Sequence, residues 1–142
     1  MAVYNKYQRF ARDLAAGTHD LLGSAGSNAH TLKIALTNTA PNAATHGVLA
    51  DITEITAGNG YTAGGASIAN TGSETGGTHT VSGTNVVFTA TGAIGPFRYA
   101  VLYNSTASGG PLIGWWDYGS SLSLILGDTF TVAFDPAIFT IA

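Results

Sequence analysis

Histidines at 19, 30, 46 and 79 are the side chains of this sequence best suited to proton transfer or metal ligation. A Ser–His–Asp hydrolase would also need its serine on a strained turn, and no Gly-x-Ser-x-Gly elbow is present. No two histidines stand in His-x-His or His-x-x-x-His spacing, so zinc is not announced. His19 and His30 flank a loop, His46 sits among small residues and His79 lies in a Thr-rich stretch. All four are expected to be solvated surface residues. Asp51 and Glu54 could share one face of a helical turn, where capping accounts for them more simply than calcium, which prefers an oxygen-rich loop. Asp117 is the one carboxylate beside aromatic residues able to stack on a sugar. The Gly58–Gly65 loop is glycine-rich like a phosphate loop but lacks the Gly-Lys-Ser/Thr ending. With no cysteine, thiolate chemistry is excluded. The expectation is a protein with no catalytic, metal or cofactor site, and not an enzyme.

Trp115-Trp116-Asp117-Tyr118 is the most informative local feature. On a strand, Trp115 and Asp117 point one way and Trp116 and Tyr118 the other. Both faces then offer large aromatic area. One tryptophan is expected to anchor the core and the other to cover a subunit interface or a sugar. The alternative is that loops and the N-terminal segment cover both within one chain.

The elements that must position these residues are mostly strands. Period-two alternation puts Leu32, Ile34 and Leu36 on one face, and Phe130, Val132 and Phe134 on another. Phe97–Tyr103 reads as a strand with Phe97, Tyr99 and Tyr103 sharing a face with Val101. The Ser108-Gly109-Gly110-Pro111 turn joins it to Leu112–Tyr118 as a hairpin. Gly127-Asp128 marks a tight turn before the last clear strand. Weaker strands at 66–91 are separated by Gly72, Gly76-Gly77 and Gly83, and Val48–Ile55 suits one helical turn with Thr45 as its N-cap. The predicted fold class is all-β: an antiparallel β-sandwich or jelly-roll-like barrel with a short N-terminal arm or helix.

The N-terminal segment differs in character. Tyr4, Tyr7, Phe10 and Leu14 recur at helical spacing with Lys6, Arg9 and Arg12 among them, and a Gly/Ser loop follows at 23–28. Residues 1–28 are therefore read as an arm and 29–142 as the β domain. Tyr4, Tyr7, Phe10, Arg9 and Arg12, with Trp115 and Trp116, are the expected subunit-interface residues. A helix folded onto its own domain is the competing reading.

Composition narrows the class of function. Only 9% of the 142 residues are charged, against about 25% in ordinary soluble domains. Few charges lower the desolvation cost of covering the surface with a partner. Five Lys plus Arg are too few to track phosphates, so nucleic acid is an unexpected partner. No apolar stretch is long enough to span a bilayer, and the polar N-terminus has no signal-peptide character. The chain is expected to be made in a cytoplasm and to reach its place by assembly.

Three stretches carry a resemblance. Leu36-Thr37-Asn38-Thr39-Ala40-Pro41, then Val48–Ile55 followed by Gly58-Asn59-Gly60-Tyr61-Thr62, then Gly95–Tyr99 through Trp115–Gly119 are similar to a group of small tailed-phage and prophage virion proteins. The resemblance spans most of residues 32–135. It implies a non-enzymatic virion component: a capsid decoration (cement) protein, commonly a trimer, bound across major capsid subunits, or else a tail or fibre-base protein that contributes to host-surface carbohydrate binding. It brings no catalytic residue.

Overall fold

In a computed structural model, which describes residues 2–22 and 30–142, ten strands and one α-helix follow one another along the chain. They are β1 (Asn5–Lys6), α1 (Gln8–Ala15), β2 (Leu32–Thr37), β3 (Ala66–Ser67), β4 (Asn70–Thr75), β5 (Thr78–Gly83), β6 (Val86–Thr89), β7 (Ile94–Asn104), β8 (Leu112–Leu124), β9 (Thr129–Val132) and β10 (Phe139–Ile141). A single 3₁₀ turn covers Leu49–Asp51. Strands hold 46% of the residues and helix 8%, and every ladder is antiparallel, so the fold is all-β and sandwich-like.

A five-stranded sheet in the order β1-β8-β7-β2-β3 packs one face onto a three-stranded sheet (β10-β5-β4) and the β6–β9 pair. Leu32, Ile34 and Leu36 of β2 meet Ala100, Leu102 and Ile113 there, with Val81, Phe88 and Phe139 from the opposing strands. The predicted inward set is buried, Phe130 only partly. The other face of the large sheet is covered too. Ala35, Val101, Tyr103 and Leu112 pack beneath Tyr7, Leu49, Ile52 and Trp115. β2 is thus covered on both sides, which explains why even Ala35 and Thr37 are fully buried.

Glycines shape two approaches. Gly76 and Gly77, both at positive φ, make the tight turn between β4 and β5. Gly72 lies inside β4 rather than between strands, because residues 21–22 run across it and a Cβ there would overlap the Leu21 carbonyl. The glycine-rich 58–65 loop is pinned from within by Tyr61, which is 2% exposed. Its hydroxyl donates to Glu54 Oε1 at 2.6 Å and accepts the Leu36 N–H at 3.0 Å. Burial first, and the carboxylate second, hold that phenol well above its ordinary pKa.

Four expectations are corrected. Phe97 does not share a face with Tyr99 and Tyr103: a register shift between Phe97 and Tyr99 resets the alternation and turns Phe97 into the main core. Thr45 does not cap the turn at 49–51; the Asp51 carboxylate does, accepting the Gly47 and Val48 N–H groups at 2.8 and 3.0 Å. Those two bonds hold its carboxyl below the ordinary range. The helix does not start at Tyr4, since Asn5 and Lys6 pair with Trp115 and Gly114 before the chain turns helical at Gln8. Tyr7 and Phe10 are 0% and 2% exposed within the single chain, so they fill its own core and present no side chain to a neighbour. An eight-residue helix has little stability alone, and docking its aromatic side supplies what propensity does not. The loop expected at 23–28 lies outside the described residues.

Candidate functional site

Where the large sheet meets β9 and the chain after it, the surface opens into a groove of about 380 Å³. β8 contributes Trp116 and Tyr118, β7 contributes Arg98 and Ala100, and the opposite wall runs from Phe130 to Asp135 and on to Ile138. Ala2 and Tyr4 close one end. The aromatic rings brace one another. Tyr4 lies 5.6 Å from Trp116 and stacks on Phe139 at the same separation, while Trp116 meets Phe134 at 5.7 Å and Tyr118 meets Phe130 edge-on at 5.8 Å. Tyr118 remains 54% exposed. Apolar walls with a few polar groups and this volume are the usual form of a small-ligand site.

Beside the groove, Arg98 grips Asp117 with two parallel bonds, Nε to Oδ1 at 2.7 Å and Nη2 to Oδ2 at 3.0 Å. Asp117 Oδ1 also accepts the Gly119 N–H at 2.8 Å. Arg98 first, and that N–H second, hold the Asp117 carboxyl below its ordinary range. The guanidinium sits 5.4 Å from the centre of the Tyr99 ring. Asp117 is therefore occupied as an ion-pair partner. Asp135, which the sequence did not single out, is the carboxylate that lines the groove.

Trp115 and Trp116 do point to opposite faces, and neither is fully buried. Tyr7 covers Trp115 with ring centroids 4.6 Å apart, and Tyr4 covers part of Trp116. The N-terminal segment thus crosses the edge of β8 and lays one tyrosine on each side. Arg9 and Arg12 stay at the surface of α1, both within 3.4 Å of the buried Asp13 carboxylate.

None of the four histidines is a fully solvated surface residue. His19 and His30 converge on Asn104, the last residue of β7, and His79 Nε2 lies 3.1 Å from the Leu21 carbonyl. His46, half-buried like the other three, differs in making only a local contact: its Nδ1 accepts the Asn42 N–H within one turn. Residues far apart in sequence make these contacts, so no local spacing announces them. Among the described residues, no group of three or more His, Asp or Glu is placed to hold a metal ion.

At the β8–β9 connection, Ile125 and Leu126 stand side by side in solvent, 67% and 74% exposed. The turn beneath them is tightly tied. Ile125 N–H donates to Asp128 Oδ2 and Asp128 N–H to the Ile125 carbonyl, both at 3.0 Å, while the Gly127 N–H and the Asp128 carbonyl bond Ala90 at 2.9 Å each. The sequence marked the turn but not the apolar pair it presents. No protein-family model matches this chain, nor does any curated protein or solved structure.

Proposed function

We propose that this chain is a non-enzymatic structural subunit of a tailed-phage particle, acting as a capsid decoration (cement) protein that binds across major capsid subunits. The observation that carries this reading is the Ile125–Leu126 tip. Scattered exposed apolar residues are ordinary, but here two large aliphatic side chains are adjacent, on a turn fixed by four hydrogen bonds. Only 9% of the chain's residues are charged, so covering its surface with a partner desolvates few charges. The choice of a phage particle rests on the sequence reading of residues 32–135 alone, which no family model or curated protein matches. Self-association, as a trimer, fits a protein that bridges symmetric seams. The virion is then its destination, after synthesis in the host cytoplasm. Incubating the purified chain with phage heads that lack it tests this: saturable binding is expected, and absence of binding would oppose it.

One observation favours a second reading, that of a tail or fibre-base protein contacting host carbohydrate. The groove beside Trp116 and Tyr118 has exposed aromatic surface and polar groups from Arg98 and Asp135. Titration with host-surface glycans, followed by tryptophan fluorescence, separates the two. Quenching that is lost in Trp116→Ala supports the carbohydrate reading, and an unchanged signal opposes it.

A further inference from the structure

We propose that Asn104, His19 and His30 form a proton-sensitive clasp, which holds α1 and residues 16–22 against the sheet at neutral pH and releases them on acidification. This does not depend on the assignment to a phage particle.

Asn104 is 0% exposed. Its Oδ1 accepts the N–H groups of Thr106 and Ala107 at 3.0 and 3.1 Å. Those bonds fix which end of the amide is oxygen, so Nδ2 faces the two imidazoles. It lies 2.8 Å from His30 Nδ1 and 3.0 Å from His19 Nδ1. An amide nitrogen only donates. Each Nδ1 must therefore offer a lone pair, and each ring must carry its single proton on Nε2. His30 Nδ1 also faces the Asp20 N–H at 3.3 Å, a second donor. A proton added to either ring lands on Nδ1 and sets N–H against N–H.

The surroundings do not reverse this. His19 packs edge-on against Phe10 of α1 at 5.2 Å, and its Nε2 is buried without a hydrogen-bond partner among the described residues. The charged group facing it from α1 is Asp13, already held by Arg9 and Arg12; His30 faces it from across Asn104. Burial first lowers the His19 pKa, the Asp13 charge works against that, and His30 adds to it. Asp20 bonds the Leu22 N–H through Oδ1. His79 bonds the Leu21 carbonyl through Nε2, a contact that a second proton on Nδ1 leaves intact.

The sign follows. The clasped geometry leaves no acceptor for a second proton on the His19 ring, whose pKa burial lowers, whereas the released ring takes up that proton at its ordinary value of about 6.5. Opening is thus favoured as pH falls, by up to about tenfold per pH unit for the His19 proton.

Amide hydrogen exchange of the full chain at pH 7.5 and 5.0, corrected for intrinsic rates, is the test. Protection across residues 8–22 is expected to fall at least tenfold at pH 5.0 while β2 and β7 stay protected. Asn104→Asp should invert the direction, because a carboxylate accepts Nδ1–H from both rings and can still bond Thr106 and Ala107. The double variant His19→Asn, His30→Asn keeps an acceptor near each Nδ1 position without a titrating ring, and its protection should be pH-independent. Equal wild-type protection at both pH values, or an Asn104→Asp variant that keeps the wild-type direction, overturns the proposal. If Asn104→Asp does not fold, NMR titration of wild-type His19 decides: protonation at or above the ordinary value of about 6.5 also overturns it.

Discussion

Tyr7 and Trp115 pack ring against ring, centroids 4.6 Å apart, on the face of β8 turned away from the main core. Three residues earlier, Tyr4 reaches the other face and lies 5.6 Å from Trp116. Between them, Asn5 and Lys6 pair with the β8 edge. The N-terminal segment is therefore part of the sandwich, and it divides the tryptophans between two aromatic clusters.

Tyr7→Ala should cost about 3–5 kcal/mol of folding stability, as large aromatic truncations in cores do. Tyr7→Phe should be neutral or stabilising, because the buried hydroxyl has no hydrogen-bond partner among the described residues and its removal relieves a desolvation cost. Deleting residues 1–12 should lower the thermal midpoint strongly, since Tyr7 and Phe10 leave the core with it. Thermal and urea unfolding of the three variants check this, and a fully stable deletion would show that the arm is dispensable to the fold.

Tyr61 gives a second, opposite case. Its hydroxyl accepts the Leu36 N–H and donates to Glu54, so Tyr61→Phe strands a buried backbone donor in β2. A loss of about 1–3 kcal/mol is expected in urea unfolding. A neutral result would mean that water replaces the phenol.

Gly65 should tolerate no side chain. Its φ is +77°, and a Cβ would overlap the Ile34 carbonyl oxygen. Gly65→Ala is expected to unfold the chain or cost more than about 3 kcal/mol. Gly127→Ala, at φ +89° but in open space, should cost only about 1 kcal/mol. Paired circular-dichroism melts compare the two.

Much of the fold is legible in the sequence where one rule acts alone. Leu32, Ile34 and Leu36 alternate without interruption, and Gly109-Gly110 makes the hairpin that brings β7 to β8. Phe97 defeats that reading because the register shift beside it resets the alternation, and nothing in the residue types marks where. Tyr4, Tyr7 and Phe10 fit helical spacing, yet β8 captures Asn5 and Lys6 first; tertiary pairing overrides a weak local preference. The site is less legible. Trp116 and Tyr118 were visible as one face of a strand, but Asp135 enters the groove only through the packing of the chain after β9. His19 and His30 lie 85 and 74 residues from Asn104, a separation at which no spacing rule operates.

The Ile125–Leu126 tip bears the account of function, and one comparison tests it most directly. Wild-type protein and the double variant Ile125→Ser, Leu126→Ser are mixed with phage heads that lack the chain, and occupancy is measured beside the melting temperature of each free chain. Because both side chains are exposed and the turn is tied by backbone bonds and Asp128, melting should be nearly unchanged. Occupancy should fall at least tenfold, the loss expected when about 2 kcal/mol of interface contact is removed. Equal occupancy of heads by a normally folded variant would contradict the claim that this tip docks the subunit onto the particle.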